Sequence, residues 1–170
     1  GKFLPTDLIE AYAWAKAGRH NSSRSSEGFD NPNLAEAVAK MADDVLACLE
    51  FLKKHPLVDP EKVGLFGGSQ AGWIIPIACD VQKDISFSVI LSGPATSYGI
   101  EMYFSSLTGE GVRQASGLNP DEIEERLDNY DGPTGYDPLP VLMRSTTPTL
   151  WLYGERDLDI PARRSAKIIA

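Results

Sequence analysis

The chain has 170 residues, 24 acidic and 16 basic, for a formal net charge of −8. Hydrophobic residues at 42% and charged residues at 24% are ordinary for a globular domain, which excludes disorder of the whole chain. The acidic balance repels phosphate backbones and so excludes nucleic acid as a first choice of partner, and no apolar run approaches the roughly 20 residues that span a bilayer.

In chain order, residues 1–10 lack the basic-then-apolar profile of a signal peptide, so a cytoplasmic protein is expected. Residues 8–17 predict a short helix ended by Gly18, and 19–28 (RHNSSRSSEG) a polar loop. Asn33 can cap a long helix running to about Lys54, in which Leu34, Val38, Met41, Val45, Leu49 and Leu52 form one apolar stripe. Residues 63–67 (VGLFG) are a short apolar run between turn residues and predict a buried strand. Residues 70–81 read as a helix joined tightly to it, with Pro76 a mark against an undistorted one. Residues 87–91 predict a second strand, ended by Ser92-Gly93-Pro94. The stretch 95–136 is mixed, although Asn119-Pro120-Asp121-Glu122 opens a helix well. Residues 149–153 predict a third strand, and 161–170 a last helix. Cys48 and Cys79 fall in helical segments and are expected as buried free thiols.

Strands alternating with helices predict a single α/β domain: a parallel sheet with helices on both faces, in three layers. Three strands make a small sheet, and the last helix has no strand after it, so a fragment of a larger fold is expected.

The sharpest motif is Gly67-Gly68-Ser69-Gln70-Ala71-Gly72, between a strand and a helix. A serine there sits on a strained turn above the carboxyl edge of the sheet, and its neighbours must be small. The following helix start offers N–H groups, notably that of Gln70, to a developing oxyanion. The competing reading is a glycine-rich turn for packing or phosphate; the loop lacks the lysine of a phosphate-binding loop and the dinucleotide fingerprint. The second motif is 152–161 (LYGERDLDIP), which sets Asp157 just after the third strand, on the same edge. A serine nucleophile needs a base, and the base a carboxylate. Asp157 is the first candidate, Asp159 and Glu155 weaker ones, and a solvated loop acid or helix cap the alternative. Of two histidines, His55 precedes the first strand and belongs at its far end, and His20 lies in the polar loop. Neither is a persuasive base.

With Ser69 and Asp157 in hand, the chain resembles the α/β-hydrolases, on the dienelactone-hydrolase and serine-aminopeptidase-like branch. The likeness rests on 43–78, on Leu91-Ser92-Gly93-Pro94 and on Tyr136-Asp137-Pro138 leading to 152–161, and covers roughly residues 33–170. The pattern departs in having Ala71, with Gly72 one later, where the motif has its last glycine. The resemblance implies a nucleophile at Ser69, a triad acid at Asp157 and one oxyanion donor at Gln70. It implies an insertion at 95–136 near the substrate, where Tyr98, Tyr103, Phe104 and Tyr130 either line the pocket or pack as core. Members usually carry about eight strands, a second oxyanion donor after an early strand and a histidine after the last. By that standard the early strands are missing here, and the base is expected some tens of residues beyond Ala170.

Other signals carry less. Asn21-Ser22-Ser23 fits a common glycosylation triplet, and Glu122, Glu124, Glu125 and Asp128 make an acidic helix face that reads as solvated surface. Trp14, Trp73 and Trp151 read as core. No metal-ligand spacing is present, and no metal or other cofactor is expected. The expected function is hydrolysis of a small-molecule ester or other acyl substrate through an acyl-enzyme on Ser69. The alternative is a catalytically incomplete domain of the same fold that binds a ligand or partner.

Overall fold

The computed structural model describes residues 34–170. The expectations for 8–17, 19–28, the cap at Asn33, Trp14, His20 and Asn21-Ser22-Ser23 lie outside the described residues.

Helix α1, Leu34–Lys53, turns the stripe read from its spacing inward: Leu34, Val38 and Leu49 are buried, and Met41, Val45 and Leu52 partly so. Cys79 is buried as expected, and burial pushes its thiol pKa up. Cys48 corrects the other half of that expectation. One position before Leu49, it points off the stripe and is exposed. At the end of α1, Lys53 Nζ pairs with Asp84 at 2.8 Å, which anchors the helix beside the loop that enters the second strand.

Strands β1 (Leu65–Gly68), β2 (Ser88–Leu91) and β3 (Thr149–Leu152) form one parallel sheet in the order β1-β2-β3. The register aligns Leu65 with Ser88 and Thr149, and Gly68 with Leu91 and Leu152. The backbone is already extended at Val63, whose carbonyl accepts from Ser86 N at 3.0 Å. The run 63–67 therefore differs from the ladder only at its ends.

A period of two divides the sheet into two faces. Ile90 on one face is fully buried and joins Leu49, Val63, Ile75, Cys79 and Ile85 in a core against which Leu65 and Trp151 pack. Each such aliphatic side chain contributes about 1.5–3 kcal/mol on burial. Residues from α1 and from α2, Ala71–Val81, supply the helical side of this core. Pro76 sits inside α2 and is buried. Lacking an N–H, it forfeits one bond of the helix without ending it. The opposite sheet face shows Phe66, Leu91, Leu150 and Leu152 at 43–75% exposure.

Between β2 and β3 come α3 (Tyr98–Thr108), a single 3-10 turn at Gly109–Gly111, α4 (Pro120–Asp128) and α5 (Leu139–Leu142). The first two helices meet through Phe104, Ile123 and Leu127. Asn119 opens α4 with a full capping box: its Oδ1 accepts from Asp121 N and Glu122 N, and Glu122 Oε2 accepts from Asn119 N at 2.8 Å. The last helix, α6, is Ala162–Ile169. Among the described residues, no helix is long and apolar enough to cross a membrane.

Candidate active site

The three strands end together at one edge, and the backbone there turns sharply. Ser69 follows β1 with φ 52°, and Ser92 follows β2 with φ 45°. Positive φ costs a non-glycine residue of order 1–3 kcal/mol, so neighbouring contacts must hold it. Ser69 N donates to Leu91 O at 3.0 Å and Ser69 O accepts from Gly72 N at 2.9 Å, which pins the residue from both sides. The turn thrusts the side chain outward, and Ser69 is exposed, its hydroxyl making no hydrogen bond among the described residues.

The small residues around Ser69 have separate steric duties. A Cβ at Gly67 would stand 2.5 Å from Ala71 Cβ, so these two positions face each other across the turn. Gly72 serves a different neighbour: a Cβ there would come within 2.6 Å of Pro94 O and 2.7 Å of Gly93 C. The last small residue of the motif is thus fulfilled by Ala71, and Gly72 lets the start of α2 touch the turn that follows β2. The N–H of Gln70, the residue before α2, donates to no acceptor among the described residues. It is available at the positive end of the helix.

Five residues beyond β3, Asp157 is half-buried. Its Oδ1 accepts from both Asp159 N and Ile160 N at 2.9 Å, so the carboxylate closes its own loop. Its Oδ2 has no such partner among the described residues and is left for another donor. β1 and β3 lie two strand spacings apart, roughly 10 Å. No hydrogen bond joins Ser69 to Asp157, and a base would have to stand between them. The strand ends are also tied across: Tyr153 Oη donates to Gly93 O at 2.9 Å, and Ala95 N donates to Ser165 Oγ at 3.1 Å. Burial pushes the Tyr153 phenol up to about 12, so it stays a neutral donor.

His55 sits just past the end of α1, on the side that the Lys53–Asp84 pair anchors beside the entry to β2, and its Nδ1 accepts from Leu57 N at 3.2 Å. It lies at the opposite end of the sheet from Ser69, as its place in the sequence implied. Tyr98 packs edge-on against Trp73, with ring centroids 5.9 Å apart, and Tyr103 stacks on Tyr130 at 5.0 Å. Trp73 is buried with its Nε1 donating to Thr96 O at 3.0 Å, whereas Trp151 is only partly buried. No group of three or more His, Cys, Asp or Glu stands ready to hold a metal among the described residues.

The sequence did not single out Glu101 on α3. Burial, and then the charges of Asp159 and Glu110, raise its pKa from 4.5 to about 8. Burial and the Glu110 and Asp157 charges also raise Asp159. The folded state therefore keeps a proton that the unfolded chain releases. Stability is full below pH 4.5, falls as pH rises toward 8, and has lost the whole contribution above it. By pH 7 the loss is about 3 kcal/mol, which glutamine would not incur. Glu101→Gln should raise the melting temperature by roughly 5–10 °C at pH 7 and leave it unchanged below pH 4.5. Melting curves of the two proteins that run parallel from pH 4 to 8 would contradict this.

A family model described as the prolyl oligopeptidase family matches residues 11–170. A search of curated proteins finds no match.

Proposed function

We infer the function from one premise: the chain belongs to the prolyl oligopeptidase family, within the α/β-hydrolase superfamily, and is a serine hydrolase. The family points to peptide bonds as substrate, so the reading of an ester is refined to acyl hydrolysis of an amide, with an amine leaving group. The resemblance to the dienelactone-hydrolase and serine-aminopeptidase-like branch is a finer assignment than this family match carries.

The observation that carries the mechanism is the left-handed backbone of Ser69 at the carboxyl end of β1. Ser69 Oγ attacks the substrate carbonyl, and a base takes its proton. The Gln70 N–H donates to the oxyanion of the tetrahedral intermediate. Collapse expels the amine, protonated by the same base, and water then releases the acyl group by the reverse path. Asp157, through its second oxygen, orients the base and stabilises its cation. Neither His55 nor any other described residue supplies that base. Tyr98 and Tyr103, on α3, border the substrate side in this reading.

The test is intact mass of the full-length protein after exposure to a fluorophosphonate, with turnover of one acyl group offered as both its anilide and its phenyl ester. A single adduct on Ser69 and cleavage of the anilide are expected. An adduct with cleavage of the ester alone would return the substrate to the ester class. No adduct would support the catalytically incomplete, ligand-binding alternative.

A further inference from the structure

Two buried hydroxyls on α3 reach the loop that carries Asp157. Thr108 Oγ1 lies 2.5 Å from Leu158 O, and Ser105 Oγ donates to Asp159 O at 3.2 Å. Ser105 and Thr108 are 3% and 6% exposed, so water does not replace these bonds readily. A threonine hydroxyl has one proton. Its other acceptors, Phe104 O at 3.1 Å and Ser105 O at 3.4 Å, are the farther ones, and the proton goes to Leu158 O. A spacing of three puts both hydroxyls on one side of the helix, one turn apart. They meet two consecutive carbonyls of the acid loop.

The loop is gripped from the other side too. The N–H groups of Asp159 and Ile160 both point to Asp157 Oδ1 at 2.9 Å. Asp159 thus gives its N–H to Asp157 and its carbonyl to Ser105. Ile160 is 1% exposed and anchors the end of the loop in the interior. Any shift of α3 moves the peptide units that hold the carboxylate.

We propose that Ser105 and Thr108 are positioning residues for catalysis, a hydroxyl clamp by which the helix between β2 and β3 sets the orientation of the Asp157 carboxylate. The clamp rests on the reading of Asp157 as triad acid. It touches neither substrate nor reacting atoms and acts only through Asp157. It also couples Tyr98 and Tyr103, on the same helix, to the acid, so that occupancy of the substrate side and alignment of the carboxylate change together.

The test uses the full-length protein and a double-mutant cycle. Thr108→Val removes the hydroxyl at nearly constant volume, and Ser105→Ala removes the other with the loss of one atom. Each should lower kcat roughly five- to tenfold with KM within twofold, and Thr108→Ser should restore most of the loss. In an Asp157→Asn background the same substitutions should lower kcat no further, because the group they orient is already gone. Equal losses in both backgrounds would make the hydroxyls merely structural and overturn the clamp. So would wild-type kcat in Ser105→Ala, should the Thr108 variant not fold. If Asp157→Asn itself leaves kcat unchanged, the triad reading has failed, and that result is distinct from failure of the clamp.

Discussion

Ser69→Ala should lower kcat/KM of the full-length protein by about 10⁴- to 10⁶-fold while leaving its melting temperature within a degree or two. The two halves of that expectation come from different features. The hydroxyl is exposed and makes no hydrogen bond to the described residues, so its removal costs the fold little, as for other surface substitutions. The strain at φ 52° is a property of any residue bearing a Cβ, and alanine inherits it along with the bonds to Leu91 O and Gly72 N. What vanishes is the nucleophile. A residual rate survives through the Gln70 N–H and substrate binding, because oxyanion stabilisation does not need the serine oxygen. Turnover of the alanine variant within tenfold of the parent would refute Ser69 as the nucleophile.

The second large effect is at Asp157. Asp157→Asn should cut kcat by about 10⁴-fold with little change in KM. An asparagine oxygen can still accept from Asp159 N and Ile160 N, so the loop keeps its shape. The second oxygen becomes an NH₂ group. A donor where the base needs an acceptor selects the wrong tautomer and offers its cation no charge. A loss of less than tenfold would show that the acid is elsewhere, with Asp159 and Glu155 next in line.

Much of the fold was legible because it depends on local pattern. The stripe of α1, the short apolar strands and the Asn119 cap each declare themselves within a few residues, and the structure departs from them by one or two positions at the ends. The sharp turn at Ser69 was legible for the same reason: small residues at a strand-to-helix junction mark a backbone that tolerates no bulk. Helix α3 was not. Its start is set from far away, with Tyr98 N donating to Tyr136 O and Gly99 N to Thr134 O, both at 2.9 Å. A Cβ at Gly99 would press on Pro133 O, so that glycine marks a contact some 30 residues distant rather than a turn. Ser105 and Thr108 were hidden for a related reason. Hydroxyls in a helix are usually solvated or bonded to their own backbone, and nothing local says that these two reach a loop 50 residues on. Cys48 shows the limit of residue type as a guide: its stripe neighbours are buried, and its own direction on the helix exposes it.

The hydrogen bond from Ser69 N to Leu91 O fixes a place for the elbow in time as well as in space. Helices such as α4, with its cap written into four consecutive residues, can form on the timescale of local chain motion. The sheet cannot. Residues 69–87 separate β1 from β2, and 92–148 separate β2 from β3, so two loops must close before parallel pairing is rewarded. Until β2 docks, Ser69 lacks its bond to Leu91 O, and only the local bond from Gly72 N to Ser69 O favours the turn. The strained turn at Ser69 is therefore completed only when β1 and β2 pair. A partly folded molecule, however helical, carries Ser69 on an unstrained backbone, and on the proposed mechanism the nucleophile is presented only once the strands are in register.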